Sequence, residues 1–89
     1  MDFEWDPTKE AENIRKHGVS FSEAGSAFYD PLSLTVPDPD HSIGEQRFML
    51  LGQSHTGRLL SVSHADRGDR IRIISARRAS RSEAKAYEF

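Results

Sequence analysis

Eight arginines and one lysine follow residue 46: Arg47, Arg58, Arg67, Arg70, Arg72, Arg77, Arg78, Arg81 and Lys85. A planar guanidinium grips phosphate or carboxylate oxygens through two parallel hydrogen bonds, whereas lysine would serve mere solubility as well. The densest run is residues 70–78, RIRIISARR. It has the β-branched content of a sheet strand. At a period of two, Ile71, Ile73 and Ser75 point one way and Arg70, Arg72 and Ile74 the other. A core strand with guanidinium groups on one side predicts a sheet with one helix-covered face and one anion-binding face. Some of these arginines should instead pair with carboxylates, and Arg58 and Arg70 are the two expected to do so.

The charge is split between the halves of the chain. Residues 1–46 hold three basic groups (Lys9, Arg15, Lys16) against ten acidic ones, a net of −7, and residues 47–89 hold nine against four, a net of +5. The formal net charge is −2. Such asymmetry fits either a nucleic-acid surface built by the second half or a salt-bridged surface joining the two halves.

Other chemistries have less support. With no cysteine in the sequence there is no disulfide framework, thiolate metal site or cysteine nucleophile. Gly-rich phosphate loops and serine-nucleophile elbows are missing as well. His17, His41, His55 and His64 are too dispersed for a zinc pattern. Asp38, Asp40, His41 and Glu45 could hold a divalent cation or form a solvated acidic loop; no metal and no cofactor are expected. His64 shares a strand face with Leu60 and Val62, where an imidazole is either a satisfied core histidine or a proton carrier. Tyr87 could donate a proton, stack on a base or pack its helix onto the sheet.

These side chains need a scaffold, and 89 residues provide one domain, 1–89, with room for one sheet and a few helices. Phe3-Glu4-Trp5 reads as a short opening strand. Asp6 caps a first helix with Pro7 at its first position, ending at Gly18, and Arg15, Lys16 and His17 complement the dipole of its last turn. Ser20 and Glu23 form a capping box, with Val19 and Ala24 as a hydrophobic staple. Phe21, Ala24, Gly25 and Phe28 then make the apolar face of a second helix, which Asp30-Pro31 ends. Strands follow at residues 32–36, 47–53, 58–65 and 70–78, joined by turn-forming segments at 37–44, 54–57 and 66–69. A second capping box, Ser80 to Glu83, opens a short terminal helix that must dock to persist. The predicted class is α+β, an antiparallel β-meander carrying two N-terminal helices and a short C-terminal helix, in the order β-α-α-β-β-β-β-α. No apolar run approaches 18 residues and no leader pattern is present, so a soluble, cytoplasmic chain with no membrane partner is expected.

Several of these segments also carry a resemblance. Phe3-Glu4-Trp5-Asp6-Pro7, Lys16-His17-Gly18-Val19-Ser20-Phe21 with Glu23-Ala24, Phe28-Tyr29-Asp30-Pro31, and residues 72–77 (RIISAR) with Glu83 and Tyr87 resemble the BrnT toxin family. The resemblance implies a RelE/ParE-like fold and a ribonuclease toxin of a type II toxin–antitoxin system that shuts down translation. It also implies a BrnA-type antitoxin with a ribbon-helix-helix part, through which alone the pair would contact operator DNA. RNA cleavage by 2′-hydroxyl attack needs a base, cations for the phosphorane charge and an acid for the leaving oxygen. On that reading Arg72 and Arg77 stabilise charge, and Arg47 and Arg78 position phosphate. His64 carries the proton with Glu45 or Tyr87 as alternatives, and Lys16 and His17 assist in RNA binding. The net acidity departs from the basic character usual for such toxins. A protein-binding inhibitor of the ParE kind and a degenerate antitoxin-binding module are the alternative functions.

Overall fold

A computed structural model describes residues 1–88. Its five-stranded sheet has the order β1-β5-β4-β3-β2, with β1 Asp2–Glu4, β2 Leu34–Pro37, β3 Arg47–Gln53, β4 Leu59–Arg67 and β5 Arg70–Arg78. The meander from β2 to β5 is antiparallel, as the alternating pattern predicts. β1 adds to β5 in parallel, Asp2 opposite Arg70, so the sheet is mixed rather than wholly antiparallel. A three-residue strand carries too little pattern to declare its partner or direction, and β1 reaches β5 by way of the helices and the whole meander, a connection long enough for parallel pairing.

Helices α1 (Pro7–His17) and α2 (Phe21–Ser26) cover one face. Asp6 accepts the Thr8 amide at 2.8 Å, and Gly18 closes α1 in the left-handed region (φ 67°) with its N–H on the Ile14 carbonyl. Val19, Phe21, Ala24, Leu50, Leu60, Val62, Ile73 and Ala76 form the core beneath these helices. Burying each large member contributes about 1.5–3 kcal/mol. Gly52 is set by the same packing, because a Cβ there would lie 2.6 Å from the Ala27 carbonyl oxygen.

β1 pairs with β5 only as far as Arg72. Beyond it, Asn13 of α1 stands in for the missing neighbour: its amide accepts the Ala76 N–H at 3.0 Å and donates to the Ala76 carbonyl at 2.8 Å. The same nitrogen donates to the Val19 carbonyl at 2.9 Å. This buried side chain fixes α1 against β5 by completing its backbone pairing. Asn13→Leu leaves those groups unpaired and is expected to cost about 3 kcal/mol, read as a lower urea midpoint at unchanged slope.

The opposite face of the sheet is open apart from α3 (Arg81–Tyr87), which sits over β3. Ser80 and Glu83 make the full capping box predicted for it. Ala86 shares an apolar cleft with Leu34, Val36 and Leu51. The Tyr87 hydroxyl donates to Asp30 Oδ2 at 2.5 Å, latching the helix to the segment that leads into β2.

Candidate functional site

An irregularity in β5 organises the open face. Ser63 of β4 faces Ser75, but the next residue, His64, faces Ile73, so Ile74 is an extra residue in β5. A bulge of this kind shifts the alternation by one position. Strict alternation would put Arg72 and Arg77 on opposite faces. With Ile74 inserted, Ile73 and Ala76 both point into the core, while Arg72, Ser75 and Arg77 reach the open face. Ser75 therefore leaves the side of Ile73, on which simple alternation places it.

Three clefts meet at Ile74. The largest, about 460 Å³, runs over β3, β4 and β5 and is lined by Asp38, His41, Arg47, Ser63, Arg77 and Glu83 among others. A small one of about 60 Å³ holds Asp6, Lys9, Glu45, Arg47 and Arg72. The third, about 210 Å³, lies along α1 between Lys9, Glu12, Lys16, His17 and Ser75. Arg47 belongs to the first two and Lys9 to the last two.

Among the described residues, ion pairs join Arg58 to Glu23, Arg67 to Glu45, Arg72 to Glu4 and Arg77 to Glu83. Three of these join arginines of the basic half to carboxylates of the acidic half, which is how the chain carries its charge asymmetry. Arg58 is paired as expected. Arg70 is not; Arg72 beside it reaches Glu4 instead, Nε to Oε2 at 3.2 Å. Lys9, Lys16 and Arg47 take part in none of these pairs. Glu83 grips Arg77 through both terminal nitrogens at 2.8 and 3.0 Å. That guanidinium holds the Glu83 carboxyl down at about 2, and the Arg77 guanidinium is raised in turn.

The structure separates the sequence-derived candidates. Arg47, Arg72, Arg77 and Glu45 converge on the open face, and Lys16 and His17 flank it from α1. Arg78 does not join them: it is exposed, and its register partner is Leu60, whose side chain lies in the core on the helix-covered face. Tyr87 lines none of these three clefts and is committed to Asp30, which pushes its phenol up. His64 faces the helix layer, with Phe28 edge-on at 4.7 Å and Phe48 stacked at 5.8 Å. It is 4% exposed, its Nδ1 lies 3.2 Å from the Val62 carbonyl oxygen, and burial pushes its imidazole below the usual value. This is the satisfied core histidine, on the far side of the sheet from Arg47, Arg72 and Arg77.

Sequence reasoning weighed His41 only as part of a cation-binding or solvated loop and did not single out Lys9. His41, in a 3₁₀ turn (Pro39–His41), places Nδ1 3.0 Å from Asp38 Oδ2 within the main cleft. A carboxylate on one ring nitrogen orients an imidazole and leaves the other free to exchange a proton. The i, i+3 spacing of Asp38 and His41 is the available signal, obscured by the turn-rich loop around it. Lys9 had a signal too: it stands seven residues before Lys16, on the same helix flank. Among the described residues, no three acidic, histidine or cysteine side chains are grouped to hold a metal ion.

An α+β protein with one helix-packed sheet face and one cationic, cleft-bearing face is the class these features define. The chain belongs to the BrnT family of ribonuclease toxins of type II toxin–antitoxin systems, whose model matches residues 5–83. Among solved structures it is similar to the ribonuclease toxin BrnT of Brucella abortus, with a TM-score of 0.71 and 25% identity over 91% of this chain and 99% of that one. No curated protein matches it. Family membership brings with it an antitoxin as partner. None of the described helices is long and apolar enough to cross a membrane.

Proposed function

We propose that this chain is an endoribonuclease toxin that cleaves RNA by attack of a 2′-hydroxyl on the adjacent phosphate. The observation that carries the reading is the Asp38-oriented His41 set in one cleft with Arg47 and Arg77. His41 takes the 2′-hydroxyl proton as that oxygen bonds to phosphorus. The bond from phosphorus to the 5′-oxygen breaks, and the leaving oxygen takes a proton, leaving a 2′,3′-cyclic phosphate and a 5′-hydroxyl end. Glu45, beside Arg47 and Arg72, is the second proton carrier. Arg47, Arg72 and Arg77 bear the extra phosphorane charge without a metal ion. The toxin acts on cytoplasmic RNA, and a BrnA-type ribbon-helix-helix antitoxin silences it and alone contacts operator DNA.

Purified protein is expected to cleave single-stranded RNA in the presence of EDTA and to leave cyclic phosphate ends. His41→Ala should slow cleavage by about 100-fold. Cleavage abolished by the chelator would remove the metal-free mechanism. Toxicity in cells without RNA cleavage by the pure protein would favour a non-enzymatic inhibitor.

A further inference from the structure

The cleft along α1 has no role in the chemistry above, yet it opens onto the same bulge. Lys9, Glu12 and Lys16 fall at i, i+3 and i+7, so they line one flank of α1 and face β5 across the cleft. Ile74 and Ser75 floor this cleft and also line the main one, making the passage between the two continuous. The floor there is low because Ser63 and Ser75 lie opposite each other with short side chains.

The two lysines are exposed and belong to none of the ion pairs among the described residues, whereas Arg72 and Arg77 each hold an internal carboxylate. Asn13, at the bottom of the same cleft, is buried and has both amide hydrogens committed to the Val19 and Ala76 carbonyls, so it has no hydrogen to donate to a ligand. What remains is two exposed ammonium groups, the His17 imidazole and one carboxylate. Ammonium groups on flexible stems suit backbone phosphates, which need charge rather than a fixed fork. Glu12 between them cannot bind phosphate, but it can accept a hydrogen bond from a ribose hydroxyl or an exocyclic amine.

We infer that Lys9 and Lys16 form a second phosphate subsite, so that single-stranded RNA crosses the sheet over Ile74 with its reacting phosphate in the main cleft and a flanking nucleotide against α1. This rests on the endoribonuclease reading. The enzyme would then hold a segment longer than the two nucleotides that react, with part of its binding energy drawn from a helix outside the chemistry.

The test uses a fluorescent 2′-O-methyl octanucleotide, whose nucleophile is blocked, titrated by anisotropy at several salt concentrations. The Lys9→Ala/Lys16→Ala double variant is expected to bind about tenfold more weakly, with the slope of log affinity against log salt reduced by about 1.4, the value for two lost single-strand phosphate contacts. Arg15→Ala/Lys85→Ala removes the same charge away from these clefts and serves as the control. It should keep wild-type affinity. A Lys9/Lys16 variant that binds no worse than this control overturns the subsite. If the wild-type protein cleaves RNA under that outcome, the subsite alone is lost. If the wild type neither cleaves RNA nor binds the octanucleotide, the function and the subsite fall together.

Discussion

Arg47→Ala is expected to lower the rate of RNA cleavage by about 100-fold while shifting the thermal midpoint by less than about 4 °C. Two observations set this side chain apart from the other arginines. It lines both the main cleft and the smaller one beside Glu45 and Arg72, so it stands between the two groups of candidate side chains. It also belongs to none of the ion pairs among the described residues. Its removal therefore strands no buried carboxylate and should cost little stability. A charge aimed at an oxygen that becomes more negative in the transition state acts on kcat more than on substrate binding. Arg47→Lys should recover only part of the loss, because an ammonium cannot reproduce the fork. Arg77→Ala gives a contrasting profile: it frees Glu83, which also caps α3, so activity and stability should fall together. Steady-state cleavage of a short RNA beside a thermal melt separates the two cases. Wild-type rates in Arg47→Ala would remove this side chain from the site.

Much of the scaffold was legible because its signals are local. The Asp6-Pro7 start and Gly18 end of α1 depend on residues within one turn, as does the full capping box at Ser80, and all took the conformations their types favour. The four meander strands were marked by alternation and by polar turns. What escaped was decided at long range. The Ile74 bulge lies in a run of β-branched residues with no glycine to mark it, yet it decides which arginines share a face. His64 was placed correctly beside Leu60 and Val62. However, every residue of β4 from Leu60 to Ala65 is buried, so the strand itself does not show which side the helices cover. His41 gains its meaning only when its turn folds over the end of the sheet beside Arg47 and Arg77.

Glu23 shows the same division and carries an expected loss of stability as large as that of Asn13. Local reasoning made it the second half of a capping box on Ser20. Ser20 does accept the Glu23 N–H, at 3.0 Å, but the carboxylate turns away to the β3–β4 hairpin. There it accepts from Ser54 Oγ and Thr56 Oγ1, each at 2.7 Å, and from Arg58 Nε at 2.9 Å. Arg58 also donates to the Gly18 carbonyl, so this one cluster ties the end of α1, the start of α2 and the hairpin together. The Arg58 guanidinium is the main cause that holds the Glu23 carboxyl down at about 2, against 4.5 unperturbed. Glu23→Ala leaves the buried Ser54 hydroxyl, the Thr56 hydroxyl and the partly exposed Arg58 guanidinium without this acceptor and should cost about 3 kcal/mol. Glu23→Gln should cost less, since it keeps an acceptor oxygen but loses the charge. Because the folded-state value lies below the unfolded one, the stabilisation from the carboxylate is complete above about pH 4.5 and drains away as pH falls toward 2. Glu83, held at about 2 by Arg77, titrates over the same window. Asp30, which the Tyr87 hydroxyl also holds below its ordinary value, adds to the effect. Thermal midpoints of the wild type should thus decline through that range, and the decline should be shallower in Glu23→Gln, where one of these groups no longer titrates. Equal slopes in the two proteins would mean that the cluster does not hold its charge in the folded state.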